Sequence, residues 1–149
     1  MNNDIKEIED SINDIIQKNE DAIKGYEKAA ENAKEIGLKH YFLTKSKERR
    51  NFLVGLKATV PALETRDDMN GSATGAVHRA WMDVKAFFSG DNDEAMLEEA
   101  IRGDKAAVEE YNEVLAKTDL PVETAKIIRE QRNWIVTNLD KIKRLEDVM

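Results

Sequence analysis

The sequence predicts an all-α protein. The expected fold is an up-down bundle of four long helices, made of two pseudo-symmetric helical hairpins joined by a long crossover that holds a short fifth helix. Three observations carry this. Apolar residues recur at three- and four-residue spacing along four stretches, the period of a helix with one buried face. Charged residues make up 36% of the chain and aromatics 6%, with seven glycines and two prolines; that balance suits long helices better than sheets. The two halves also share short matching stretches in the same order. At 149 residues the chain suits one domain, 1–149, with a core of its own.

The first helix is expected over about 4–35. Ile5, Ile8, Ile12, Ile15, Ala22, Tyr26, Ala29 and Ala33 follow the alternation, and Ile16, Ile23 and Ala30 widen the stripe. Asn19 is the polar residue on it. Gly37 is placed to end this helix. The second is expected over 38–65, on Leu38, Phe42, Phe52, Leu53, Leu56, Val60 and Leu63, with Pro61 kinking or ending it. The short turn between them makes the two antiparallel neighbours.

A turn-rich stretch follows, from Arg66 to Gly75. Val77, Ala80, Trp81, Val84, Phe87 and Phe88 then predict a short helix over 75–89, stopped near Gly90. Asp91, Asn92 and Asp93 offer N-caps for a helix over 93–117, whose stripe runs from Met96 and Leu97 to Val114 and Leu115. The last helix is expected over 121–147, opened by Pro121 and carried by Ile128, Ile135, Leu139, Ile142 and Leu145.

The internal match pairs Lys47-Glu48-Arg49-Arg50-Asn51-Phe52-Leu53-Val54 with Arg129-Glu130-Gln131-Arg132-Asn133-Trp134-Ile135-Val136. It also pairs Ala22-Ile23-Lys24-Gly25 with Ala100-Ile101-Arg102-Gly103. Two hairpins joined by a long crossover is the plan of ferritin-like bundles.

Several stretches resemble a family of bacterial ferritin-like domains of unknown function. They are Lys24 to Glu31, Glu48-Arg49 with Phe52, Gly71-Ser72, Gly75 to Asp83, Gly103-Asp104 and Gln131. The resemblance covers nearly the whole chain, and Gly71-Ser72 and His78-Arg79-x-Trp81 are its most specific parts. It implies a fold and no established activity. More distantly the chain is similar to rubrerythrins and bacterioferritins, whose bundles hold two irons.

A di-iron centre of that kind draws carboxylates from all four helices, two of which use a glutamate followed three residues later by a histidine. Here the corresponding spacings are Glu48-x-x-Asn51 and Glu130-x-x-Asn133, without imidazoles. At ~100° per residue, Glu130 points away from the stripe of its helix, and Glu27 and Glu48 sit at the edges of theirs. No metal and no cofactor is therefore expected. The alternative is a carboxylate-bridged iron or manganese site with a degenerate ligand set of Glu27, Glu48, Asp104 and Glu130, serving oxidase, peroxidase or storage chemistry.

The inward positions carry other groups. Tyr26 lies on the first stripe, Arg49 within the second, Asp104 among Leu97, Ile101, Val108 and Tyr111, and Gln131 among Ile128, Ile135 and Ile142. These four are expected to form a buried polar layer, with Arg49 paired to Asp104 and Tyr26 and Gln131 completing the hydrogen bonds, because a buried charge needs a partner.

Other constellations are weaker. His40 has no partner at ligand spacing. His78 and Trp81 are expected to anchor the crossover. Gly71-Ser72-Ala73-Thr74-Gly75 lacks the lysine and the preceding strand of a phosphate loop and reads as a turn with a helix cap. Trp81, Phe87 and Phe88 seal the bundle, or alternatively face a second copy in a homodimer. Trp134 sits at the border of its own stripe.

The net charge of −7 and the lack of a basic stripe argue against nucleic acid and anionic membranes. The absence of cysteine excludes disulfides and thiolate chemistry. No nucleophile with a neighbouring base is visible. No apolar run approaches the ~20 residues of a membrane span, and the first residues lack a signal-peptide core, which reads as cytoplasmic. The expected role is a non-catalytic structural or interaction module whose protein partner the sequence does not name.

Overall fold

The computed structural model describes residues 2–59, 92–117 and 120–149. Four α-helices and a short 3-10 turn make up these residues, with no strand among them: α1 (Asn2–Asn32), α2 (Ile36–Thr59), α3 (Asp93–Lys117), α4 (Val122–Lys141) and the turn at Leu145–Asp147. The expected helix over 75–89, with His78, Trp81, Phe87 and Phe88, lies outside the described residues. So do Pro61, the end of the second helix beyond Thr59, and the Gly71–Gly75 stretch.

The helices pack chiefly as two pairs, α1 with α2 and α3 with α4. The α1–α2 pair is antiparallel, since Glu27 meets Arg50 and Glu20 meets Lys57. Across α1 and α3, Lys18 meets Glu110 and Tyr26 meets Asp104, so these two are antiparallel as well. Therefore α2 and α3 run in the same direction. Thr59 ends α2 at the far end of the bundle from Asp93, whose carboxylate accepts the backbone N–H groups of Lys34 and Glu35 beside the α1–α2 turn. That carboxylate helps satisfy the free donors at the start of α2. Asn92 accepts from the Ala95 N–H as the N-cap of α3.

The core has two apolar clusters. One, near the α1–α2 turn, holds Tyr26, Ala29, Leu38, Phe42, Met96, Leu97 and Ala100. The other holds Ile12, Ile15, Ile16, Leu56, Tyr111, Ile128 and Ile135. Buried Asn19, Lys45, Arg49 and Asp104 lie between them along the chain.

Two boundaries differ from the sequence reading. Gly37 does not end α1. It lies in the first turn of α2, and a Cβ built on it would overlap the Val148 carbonyl oxygen; the close approach of the C-terminal backbone is what uses a glycine there. The last helix stops at Lys141 rather than near 147. Ile142 and Arg144 are extended, and the Asp147 carboxylate accepts from the Lys143 and Arg144 N–H groups. Ile142, Leu145 and Val148 then fold against the first cluster, so they keep an apolar role without continuing the helix.

Candidate functional site: a buried polar layer

Phe42, Lys45 and Arg49 follow one another at i, i+3 and i+7 on α2, which puts all three on its inner face. Asp104 stands on the inner face of α3. Lys45 is 2% exposed and Asp104 1%, so both charges are removed from water. Such burial is tolerable only with a full set of partners.

Those partners are present. Asp104 Oδ2 accepts from Lys45 Nζ at 2.5 Å. Its Oδ1 accepts from Arg49 Nη2 at 2.7 Å and from the Tyr26 hydroxyl at 2.7 Å. One carboxylate thus serves two cations and a phenol. Lys45 Nζ also lies 5.7 Å from the Tyr26 ring centroid and 6.0 Å from that of Tyr41, and Arg49 Cζ lies 5.7 Å from the Phe52 ring centroid, within cation–π range.

A relay extends from this centre to the other helices. Arg49 Nη1 donates to Asn19 Oδ1 at 2.7 Å. Asn19 Nδ2 donates to the Tyr111 hydroxyl and to the Ile15 carbonyl, both at 3.0 Å. Tyr111 donates to Gln131 Oε1 at 2.7 Å, and Gln131 Nε2 donates to the Phe52 carbonyl at 3.0 Å. All four helices contribute, and each of these side chains is held by at least one hydrogen bond within the layer, the kind of linkage that a buried polar network depends on.

The electrostatics follow from the geometry. Burial pushes the Asp104 carboxyl up, but the charges of Arg49 and Lys45 and the hydrogen bonds from Lys45 and Tyr26 outweigh it and hold the group below the ordinary carboxylate value. Burial pushes the Tyr26 phenol well up, and the Asp104 charge adds to this. Burial likewise raises Tyr41 and Tyr111. Burial disfavours the Arg49 charge, yet the surrounding Tyr26, Asp104 and Tyr111 oxygens more than compensate, so it stays a cation.

Tyr26, Arg49 and Asp104 come into direct contact. Gln131 does not reach Asp104; it is linked to Arg49 only through Tyr111 and Asn19. Glu27 is exposed and paired with Arg50 at 2.8 Å. Glu48 is half-buried, and Glu130 and His40 are exposed. Among the described residues no three histidine, aspartate or glutamate side chains gather in a way that could hold a metal ion.

Sequence reasoning missed three participants. Lys45 was not assigned to the layer, although its place one turn from Arg49, beside Phe42, marks it as inward. Asn19 was noted on its stripe without a partner. Tyr111 was read as apolar stripe, whereas its hydroxyl carries the relay from Asn19 to Gln131. Thr124 is also buried, and its hydroxyl has no hydrogen-bond partner among the described residues.

A family model described as a domain of unknown function (DUF2383) matches residues 7–117. The match runs from α1 to the end of α3 and so includes every layer residue except Gln131. No curated protein matches the chain.

Proposed function

The chain belongs to the DUF2383 family, and we propose that its bundle is a non-catalytic structural or interaction module of ferritin-like plan, with the buried polar layer standing where relatives of that plan hold metal. The parallel course of α2 and α3, which demands a long crossover, supports the ferritin-like plan. One observation carries the functional reading: both oxygens of the Asp104 carboxylate are engaged by cations, Lys45 and Arg49.

The donor chemistry does not fit iron or manganese. A carboxylate-bridged site needs several anionic oxygens converging on the ions. Among the described residues Asp104 is the only carboxylate of this layer, and two positive side chains against one negative there leave a local charge that repels a divalent cation. Glu27, Glu48 and Glu130 are at the surface or its border. The layer instead suits the work of fixing which helices pair and at what register, the best-attested use of buried polar groups.

Elemental mass spectrometry on tag-free protein, after iron or manganese loading, tests this. The expected result is no metal above background. Roughly two ions per chain, the stoichiometry of a di-metal bundle, lost in Asp104→Ala, would overturn it.

A further inference from the structure

A cavity of about 270 Å³ opens between α1 and α3 at the level of the polar layer. Small residues shape its walls: Ala22 of α1, and Ala100, Gly103 and Ala107 of α3. A Cβ built on Gly103 meets nothing within 4 Å. Arg49, buried and reaching across from α2, closes the inner end beside Tyr26 and Tyr111.

The ionised groups around this space favour a cation at its mouth. The lining holds three acids, Asp21, Glu99 and Glu110, and two bases, Lys18 and Arg49. Most of these charges are matched: Glu110 pairs with Lys18, Glu99 with Arg102, and Arg49 with Asp104. Asp21 differs. It is half-buried at the rim and forms no salt bridge among the described residues. Burial holds its carboxyl above the ordinary value; the charge of Lys24, one turn on, opposes this, and that of Glu20 adds to it. The helices framing the opening have the same sign. From Lys6 onward α1 carries eight acids against four lysines, and α3 carries eight acids against three bases. A cleft of one sign with apolar walls concentrates its field. At the inner end the sign reverses, because Arg49 and Lys45 share the Asp104 carboxylate.

We propose that this cavity binds a small hydrophobic amine, its ammonium at the mouth beside Asp21 and its apolar body inward against the alanine and glycine walls. Charge sets the orientation: an ammonium turned inward would meet Arg49, whereas one at the rim meets the unmatched carboxylate. The size suits it: an apolar cavity of about 150 Å³ already takes benzene, and the volume here approaches the lower end of small-molecule sites. The proposal concerns the outer, α1–α3 side of the layer and does not depend on the module reading or on whether iron or manganese is bound.

The test uses the full chain at neutral pH and three probes sharing one ring: phenethylamine, phenethyl alcohol and phenylacetate. Ligand-observed NMR and calorimetry measure saturable binding up to about 10 mM, which reaches weak affinities. Phenethylamine is expected to bind at least about tenfold more tightly than either of the others. Asp21→Asn keeps the shape of a side chain that holds no salt bridge, so the fold is expected to persist; it should weaken phenethylamine by about tenfold and leave phenethyl alcohol unchanged. Gly103→Leu puts a side chain into the open space and is a better helix former, so it is expected to fold and to weaken phenethylamine by about tenfold or more. Equal affinity of the three probes, a preference for phenylacetate, or unchanged phenethylamine binding in Asp21→Asn would overturn the assigned charge. Unchanged phenethylamine binding in Gly103→Leu, or no saturable binding at all, would overturn the site.

Discussion

Replacing Asp104 with asparagine keeps the shape of the side chain and removes the one negative charge of the layer. The structure sets the size of the effect. Two cations lie 2.5 and 2.7 Å from its oxygens, and the side chain is 1% exposed. At an effective dielectric constant near 20, each contact at ~3 Å carries about 5 kcal/mol of gross attraction. The cost of desolvating the three ions cancels much of this in the intact layer. Once the carboxylate is gone, that cost remains and the attraction does not. Breaking a buried pair in this way typically costs about 3–5 kcal/mol. With a urea slope of about 2 kcal/mol per M, the unfolding midpoint should fall by about 1.5–2.5 M.

The carboxyl's folded pKa lies below its unfolded value of 3.8. Its contribution is therefore complete above the unfolded pKa and is lost as pH falls through the folded one. The wild-type protein should lose stability below about pH 4, and Asp104→Asn should lack that part of the acid transition. A midpoint shift worth less than about 1 kcal/mol, the value of an exposed pair, would refute the reasoning. The register role has its own test. A variant with Asn19→Leu, Tyr26→Phe, Lys45→Met, Arg49→Met and Asp104→Leu together should match or exceed wild-type stability and give a heterogeneous NMR spectrum. A single well-dispersed spectrum would leave the stability argument standing and remove the register argument.

The remaining predictions are smaller. All three tyrosines have phenols raised above the ordinary value, so tyrosinate absorbance should be absent from the folded protein near pH 10 and present in urea at the same pH. The linked stability is intact below the unfolded pKa and is lost as pH rises through the folded values; normal titration of any tyrosine in the native state would contradict the burial. Thr124→Val removes a buried hydroxyl that has no partner among the described residues and keeps the branched shape, so chemical denaturation should show unchanged or higher stability, by up to about 1 kcal/mol; a clear loss would mean that the hydroxyl has a partner. Gly37→Ala forces the Val148 backbone off the start of α2 and should cost about 1–3 kcal/mol, while truncation before Val148 should abolish the difference between alanine and glycine there.

The four long helices were legible because each is amphipathic over many turns, and the burial of a helix face is decided by a pattern that the sequence carries. Asp104 and Arg49 were legible for the same reason: each breaks an otherwise apolar stripe, and opposite charges removed from water must meet. Lys45 was not, because a lysine on a half-charged helix has a choice between solvent and core, and only the Asp104 carboxylate arriving from α3 settles it. Tyr111 was read by its ring, but its hydroxyl has meaning only once Asn19 and Gln131 lie on either side of it. The end of α4 was misread since Ile142 and Leu145 keep helical spacing; tertiary packing overrides that spacing, pulling the tail across the first core cluster. Gly37 shows the same division. Its lack of a side chain is a local property, yet what that property permits, the Val148 carbonyl lying against the start of α2, arises from residues more than a hundred positions away in the chain.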